Sequence, residues 1–140
     1  MILLDTDVLS LVQRADGPDY DRLADRLDSA DDVVAVSIVS FEEQMRGWLA
    51  YVARGNSSKQ RVTGYAKLKA LLEDFITRPV LDFDDACDAK FCEFLNSGVR
   101  IGTMDLKIAA TAIAHDALLL SKNLKDFRQV PGLRVEDWTS

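Results

Sequence analysis

Four acidic residues of this sequence stand where segments that predict strands give way to helix starts or turns. They are Asp5, Glu43, Asp105 and Asp126. In a parallel sheet the carboxyl ends of the strands and the starts of the following helices lie at one edge, so we expect these side chains to meet. Oxygen ligands without a neighbouring histidine or thiolate suit Mg²⁺ or Mn²⁺ rather than zinc or copper. The pattern therefore predicts an acidic metal site.

Asp5 is the anchor of this predicted site. Residues 2–4, Ile-Leu-Leu, form an apolar run without a helical period, which predicts a buried strand. The run ends at Asp5, and Thr6 and Asp7 follow, either of which is suited to cap a helix. The apolar packing of a core strand gives no reason for a carboxylate at its end. Of the four acids, Asp5 is therefore the hardest to explain by a purely structural role.

The other three acids each have a structural interpretation as well. Asp105 stands in the first turn of a predicted helix, where a negative charge is favourable against the helix dipole. Glu43 has an acidic neighbour, Glu42, and a helix start suits both. Asp126 is also compatible with a plain turn. The metal-site hypothesis therefore depends on all four acids occurring at equivalent places in the topology.

Short strands alternate with helices along the chain. Apolar runs predict strands at 2–4, 33–36, 80–83 and 118–120, with a short edge strand near Val135. Periodicity and capping residues predict helices ending near Gln13 and Arg54 and others over about 19–30, 58–76, 84–96 and 104–115, the last capped by Thr103. This alternation predicts a three-layer α/β/α fold with a mostly parallel sheet, in one domain over residues 1–140.

The composition excludes several classes of protein. The chain is 48% hydrophobic with a net charge of −6, which is typical of a globular protein. No apolar run approaches the roughly 20 residues that span a bilayer, and because a charge follows so early, at Asp5, we expect no signal peptide. Cys87 and Cys92 match no zinc signature, so we expect reduced core thiols and a cytoplasmic location. His115, at a predicted helix end, is expected to be structural.

One stretch of the acidic chain is basic. Residues 44–72 carry six basic side chains and no acidic one. Such a surface beside an acidic metal site would attract a polyanion that the overall charge repels. A solvated helix face explains the same charges equally well.

Four segments, taken in order, resemble the motifs of PIN-domain nucleases, and most closely those of VapC-type toxins from bacterial toxin–antitoxin pairs. The segments are Ile-Leu-Leu-Asp-Thr-Asp-Val-Leu-Ser, Ser-Ile-Val-Ser-Phe-Glu-Glu-Gln-Met-Arg-Gly, Ile-Gly-Thr-Met-Asp-Leu-Lys-Ile-Ala-Ala and Ser-Lys-Asn-Leu-Lys-Asp-Phe. The resemblance covers nearly the whole chain. It implies a five-stranded parallel sheet between helices and Mg²⁺- or Mn²⁺-dependent RNA cleavage, with transfer RNA the favoured substrate over ribosomal RNA. It also implies a homodimer and inhibition by a VapB-type antitoxin.

The resemblance also assigns residues. Asp5, Glu43 and Asp105 match the family's first three acids, the offset to Gly47 favouring Glu43 over Glu42, and Asp126 matches its more variable fourth. Smaller polar residues match positions beside the site: Thr6, Ser121 and Asn123. At Asp7 the family most often has asparagine, and we expect this aspartate to cap the helix rather than bind metal. An RNA substrate would make four basic residues candidate phosphate contacts: Arg46, Arg54, Lys59 and Arg61.

Two other classes of function remain open from the sequence. A phospho-acceptor signalling domain also gathers acids and Mg²⁺ at strand ends, and Asp82 and Lys122 loosely imitate its acceptor and lysine. The separation of Asp5 from Asp82 is too long for that class and contains an additional helix pair. A catalytically silent binding module with the same fold is the other alternative.

Overall fold

The architecture is a parallel sheet of five short strands in the computed structural model, which describes residues 1–140. The strands are β1 (Ile2–Leu4), β2 (Val34–Ser37), β3 (Val80–Leu81), β4 (Leu118–Leu120) and β5 (Val135–Glu136). Their order across the sheet is β3-β2-β1-β4-β5, and every neighbouring pair is parallel. The first strand of the chain is therefore the central one.

Seven helices connect and cover the strands. They are α1 (Thr6–Arg14), α2 (Pro18–Ala30), α3 (Ile38–Arg54), α4 (Ser58–Phe75), α5 (Asp85–Asn96), α6 (Thr103–Ala114) and α7 (Leu124–Phe127). The longest pair, α3 and α4, forms an antiparallel hairpin whose helices pack along their length, as α5 and α6 also do. None of the helices is long and apolar enough to cross a membrane.

The core lies on both faces of the sheet, because successive side chains of β1 point to opposite sides. Ile2 and Leu4 belong to a buried cluster with residues of α1, α2 and α4, whereas Leu3 belongs to a second cluster with residues of α5 and α6. All three side chains are at most 2% exposed. The three-layer fold with a five-stranded parallel sheet, as predicted, is confirmed.

The structure corrects several local predictions. Helix α1 is capped by Asp5, which accepts a hydrogen bond from the Val8 amide, and not by Thr6 or Asp7. Thr103 is the first residue of α6 rather than its cap. Cys92 is exposed, so only Cys87 is a core thiol. The short helix α7 was not predicted, because a four-residue helix is too short to show a period.

Candidate functional site

The four predicted acids lie at the carboxyl edge of the sheet. Asp5 directly follows the central strand β1, and Glu43 lies in the second turn of α3, which follows β2. Asp105 is in the first turn of α6, and Asp126 is in α7, just after β4. Parallel pairing aligns these strand ends, so the chain's order of elements brings together acids that are far apart in sequence.

Asp5 is a buried carboxylate at the centre of this edge. Its side chain is 4% exposed and accepts a hydrogen bond of 2.8 Å from the amide of Val8. Burial disfavours the charged form and raises the pKa of Asp5 to about 6, although hydrogen bonds from Ser121 and Val8 oppose the rise. The negative charges of Asp7 and Asp105 contribute further to it. The fold thus holds an acid where its negative charge is poorly solvated.

Asp105 is the second acid of the cluster whose pKa is raised. Burial is the largest cause of its raised pKa, and the negative charges of Glu43, Asp7 and Asp126 raise it further. A hydrogen bond from Asn123 acts in the opposite direction. These couplings place the carboxylates within electrostatic reach of one another.

Glu43 is held by a pair of hydroxyl groups. The Thr6 hydroxyl lies 2.6 Å from Oε1 of Glu43 and 2.9 Å from the hydroxyl of Ser40. The Thr6 hydroxyl donates its hydrogen to Glu43, because a carboxylate accepts hydrogen bonds. A hydroxyl has only one hydrogen to donate, so in the second bond Ser40 is the donor and Thr6 the acceptor. Ser40 is fully buried and was not among the predicted site residues. Its place three residues before Glu43, on the same helix face, was the available signal.

The loop after β4 supplies the remaining polar partners. The side-chain amide of Asn123 donates to Asp126 at 3.0 Å, and the backbone amide of Asn123 donates to the Ser121 hydroxyl at 2.9 Å. Ser121 is fully buried beside Asp5. This loop therefore connects Asp5, Asp105 and Asp126 through two side chains.

The two acids that sequence left ambiguous occupy different environments. Glu42 forms an ion pair with Arg46 on the next turn of α3, at 2.6 Å. Asp7 is exposed in the first turn of α1, and its charge raises the pKa values of Asp5 and Asp105. The charge of Glu43 is among the causes that raise the pKa of Asp105.

No basic side chain neutralises this cluster. The eight ion pairs of the molecule include none of Asp5, Asp7, Glu43, Asp105 or Asp126. No three Asp, Glu, His or Cys side chains are arranged to hold one metal ion as they stand. The possible metal ligands in this cluster are carboxylates, and no basic side chain is paired with them. Such a set of donors fits a hard divalent cation.

The predicted basic contacts lie mostly away from the acids. Arg54 is eleven residues beyond Glu43 on α3, about 16 Å along the helix axis, and its guanidinium lies 5.5 Å from the Tyr51 ring centroid. Lys59 and Arg61 are in the first turn of α4, at the same end of the hairpin. Arg46 is nearer to the acids but is paired with Glu42.

The fold and the site define an α/β protein with an acidic, cation-deficient cluster at the carboxyl edge of a parallel sheet. The PIN domain family model matches residues 2–133, and the chain belongs to that family.

Two proteins that resemble this chain in sequence are VapC nucleases. Ribonuclease VapC2 of Rickettsia felis is 32% identical over 87 residues, which are 59% of this chain and 63% of that protein. The tRNA(fMet)-specific endonuclease VapC of Salmonella typhimurium is 34% identical over 74 residues, 49% of this chain and 56% of that protein. The matched segments thus span less than two thirds of either relative.

A solved structure extends the similarity to the whole fold. The structure of VapBC2 from Rickettsia felis bound to a promoter DNA fragment superposes with a TM-score of 0.70 at 26% identity. The alignment covers 99% of both chains.

Proposed function

We propose that this protein is a metal-dependent endoribonuclease and the toxin of a VapBC-type toxin–antitoxin pair. The observation that carries the proposal is the buried Asp5 carboxylate beside Asp105, in a cluster of like charges without a basic partner. Burying such charges lowers stability unless a cation is bound, so their presence together favours a function over a structural role. The names of the VapC relatives supply the class of reaction.

The acids that would hold Mg²⁺ or Mn²⁺ are Asp5, Glu43, Asp105 and Asp126. When bound, the cation supplies a water of lowered pKa and stabilises charge on the phosphodiester oxygens. The surrounding residues orient the ligands. The Val8 amide and Ser121 position Asp5, and Thr6, itself held by Ser40, positions Glu43. Asn123 holds Asp126 and contacts Asp105.

The substrate and partners follow from the relatives. One VapC relative is named as a tRNA(fMet)-specific endonuclease, which favours transfer RNA over ribosomal RNA as the substrate here. A solved neighbour is a VapBC complex, which favours a VapB-type antitoxin as the partner. We extend the proposal to a homodimer, and to a location in the cytoplasm, where an RNA substrate is found.

The test is cleavage of total cellular RNA by the purified protein, freed of antitoxin, in the presence of Mn²⁺. We expect wild-type protein to cut and both Asp5→Asn and Asp105→Asn to lose at least a hundredfold in rate. Asp116→Asn is the matched control, because Asp116 is exposed and has a positive φ of 52° that asparagine tolerates. Intact RNA with wild-type protein would contradict the proposal and favour a silent binding module, and full activity of Asp5→Asn would contradict the assigned site.

The phospho-acceptor alternative has little support in the geometry. Asp82 follows β3, which β2 separates from β1, so it is not beside Asp5. The Lys122 ammonium is bound by Asp19 at 2.7 Å instead of facing the acids. The two residues that this class requires therefore lie apart from the cluster.

A further inference from the structure

A groove of about 490 Å³ opens between α1, α3 and α4. It is lined mainly by polar and aromatic side chains, among them Ser10, Gln13, Arg14, Gln44, Trp48 and Lys67. None of these residues belongs to the acidic site. Their chemistry differs from that of the site, because amides, cations and an indole replace carboxylates.

Residues of the groove adjoin residues of the acidic site along α1 and α3. Ser10 lies one helical turn beyond Thr6 on α1, and Gln44 directly follows Glu43 on α3. The Gln44 side-chain amide donates to the Ser10 hydroxyl at 3.1 Å, which joins the two helices at this border. Trp48 is five residues beyond Glu43 on α3, about 7.5 Å further along the helix axis and on a different side of the helix.

The cations of the groove are available for a ligand. Arg14 and Lys67 form no ion pair in the molecule. The only carboxylate in the lining, Asp74, is bound by the Arg78 guanidinium through two contacts of 2.9 Å, and this interaction lowers its pKa. The groove therefore presents net positive charge beside a negative site, which suits a polyanion whose scissile group reaches the acids.

Trp48 supplies a stacking surface in the same groove. Its indole is partly exposed, and the Lys67 ammonium lies 6.0 Å from the ring centroid, at the outer limit of a cation–π contact. A second groove of about 370 Å³ shares Gln44 and Trp48 and continues along α3 to Tyr51 and Arg54. The neighbouring rings of Trp48 and Tyr51, with Lys67 near the first and Arg54 near the second, therefore lie along one path that leads away from the acids.

We propose that this groove is a nucleotide-binding subsite of the nuclease. Trp48 stacks on one base of single-stranded RNA, and Arg14 and Lys67 contact phosphates of the same strand. Interleaved aromatic and basic side chains are the means by which proteins bind single strands with little sequence preference. The inference rests on the proposed ribonuclease function, since it places the RNA relative to the acidic site.

The test measures binding separately from cleavage. A short fluorescein-labelled single-stranded RNA of mixed sequence is titrated with protein in EDTA, and its anisotropy is followed at several salt concentrations. We expect Trp48→Ala to weaken binding about tenfold and Trp48→Phe, which keeps a stacking ring, to restore most of the affinity. Arg14→Gln and Lys67→Gln should each lower the slope of log K against log salt by about one.

Controls and a cleavage assay separate the outcomes. Lys90→Gln also removes one positive charge, but from α5, outside the groove. It should leave the salt slope of RNA binding unchanged. Wild-type binding by the Trp48, Arg14 and Lys67 variants, with cleavage intact, would overturn the subsite and leave the nuclease proposal standing. Trp48-dependent binding without any cleavage in Mn²⁺ would support the subsite and overturn the nuclease. Variants that keep RNA affinity but lose affinity for a VapB-type antitoxin would overturn the subsite and make the groove a protein-docking surface.

Discussion

The hydroxyl of Thr6 donates to the carboxylate of Glu43 at 2.6 Å, across the boundary between α1 and α3. These residues belong to the first and the second motif of the chain. The bond joins the helix that follows the central strand to the helix that follows its neighbour. It therefore fixes the second acid of the site relative to the first.

Removing this hydroxyl should weaken the site without unfolding the protein. In Thr6→Val the Glu43 carboxylate loses its donor, and Ser40 loses the acceptor for its own proton. Partners of this kind typically change metal affinity by ten- to a hundredfold. We expect about a tenfold weaker Mn²⁺ affinity by isothermal titration calorimetry. Thr6→Ser keeps the hydroxyl and should bind as the wild type does; equal weakening in both variants would argue against the bond.

The buried Asp5 carboxyl should make stability depend on pH. Its pKa is raised from 3.8 to about 6 in the folded protein, so between these pH values the unfolded chain ionises first. Stability from this group therefore falls as the pH rises from about 4 to 6 and stays low above that window. Asp5→Asn keeps an acceptor for the Val8 amide and lacks the charge. We expect it to be more stable than wild type by about 2–3 kcal/mol at pH 7 without metal.

Urea denaturation at several pH values, with and without Mn²⁺, checks this expectation. The difference between Asp5→Asn and the wild type should vanish near pH 4. Added Mn²⁺ should stabilise the wild type at pH 7, because a ligand that binds only the folded state raises its stability. The same ion should leave Asp5→Asn nearly unchanged. A wild-type free energy of unfolding that changes neither with pH nor on addition of Mn²⁺ would contradict the metal site.

Gly64 should be required for the packing of α3 against α4. A Cβ built there would overlap Cγ2 of Val52 and lie 3.1 Å from Cδ1 of Tyr51. Alanine is favoured over glycine by about 1 kcal/mol within a helix, but overpacking typically costs about 1–3 kcal/mol. Because Val52 is short and branched, we expect the overlap to dominate and Gly64→Ala to lower the free energy of unfolding.

The matched control is Gly47→Ala on α3. A Cβ at Gly47 meets no atom within 4 Å, so only the helix preference remains. We expect this variant to gain about 0.5–1 kcal/mol in urea denaturation. Equal gains in both variants would show that the α3–α4 hairpin opens to admit the methyl group.

The basic residues of the hairpin should differ in their effect on RNA binding. Arg46 is already paired with Glu42, whereas Arg54 forms no ion pair and lines the second groove. We expect Arg54→Gln to lower the salt slope of RNA binding by about one and Arg46→Gln to change it less. Lys59 and Arg61 remain predicted contacts, and their glutamine variants belong in the same titration. Unchanged slopes for all four would assign these charges to a solvated helix face.

Local sequence patterns determined most elements of this fold, with the four-residue helix α7 as the exception. The apolar runs at 2–4 and 118–120 were predicted as strands with their observed bounds, because an uninterrupted apolar run has only a buried place in an α/β protein. The helix ending at Arg54 was predicted because its cap and its Gly55 break are local signals. Parallel strands then required the acids that follow them to share one sheet edge.

Only the tertiary structure decided how the acids are held and which neighbours they have. That Asp5, rather than Thr6 or Asp7, caps α1 depends on where the backbone leaves β1. The pairing of Thr6 with Glu43 and the groove lined by Arg14, Trp48 and Lys67 join residues from helices far apart in sequence. No short-range pattern encodes such contacts, because they arise from how whole helices pack. The sequence therefore specified which groups lie at the edge, and packing set the charge, burial and access of each.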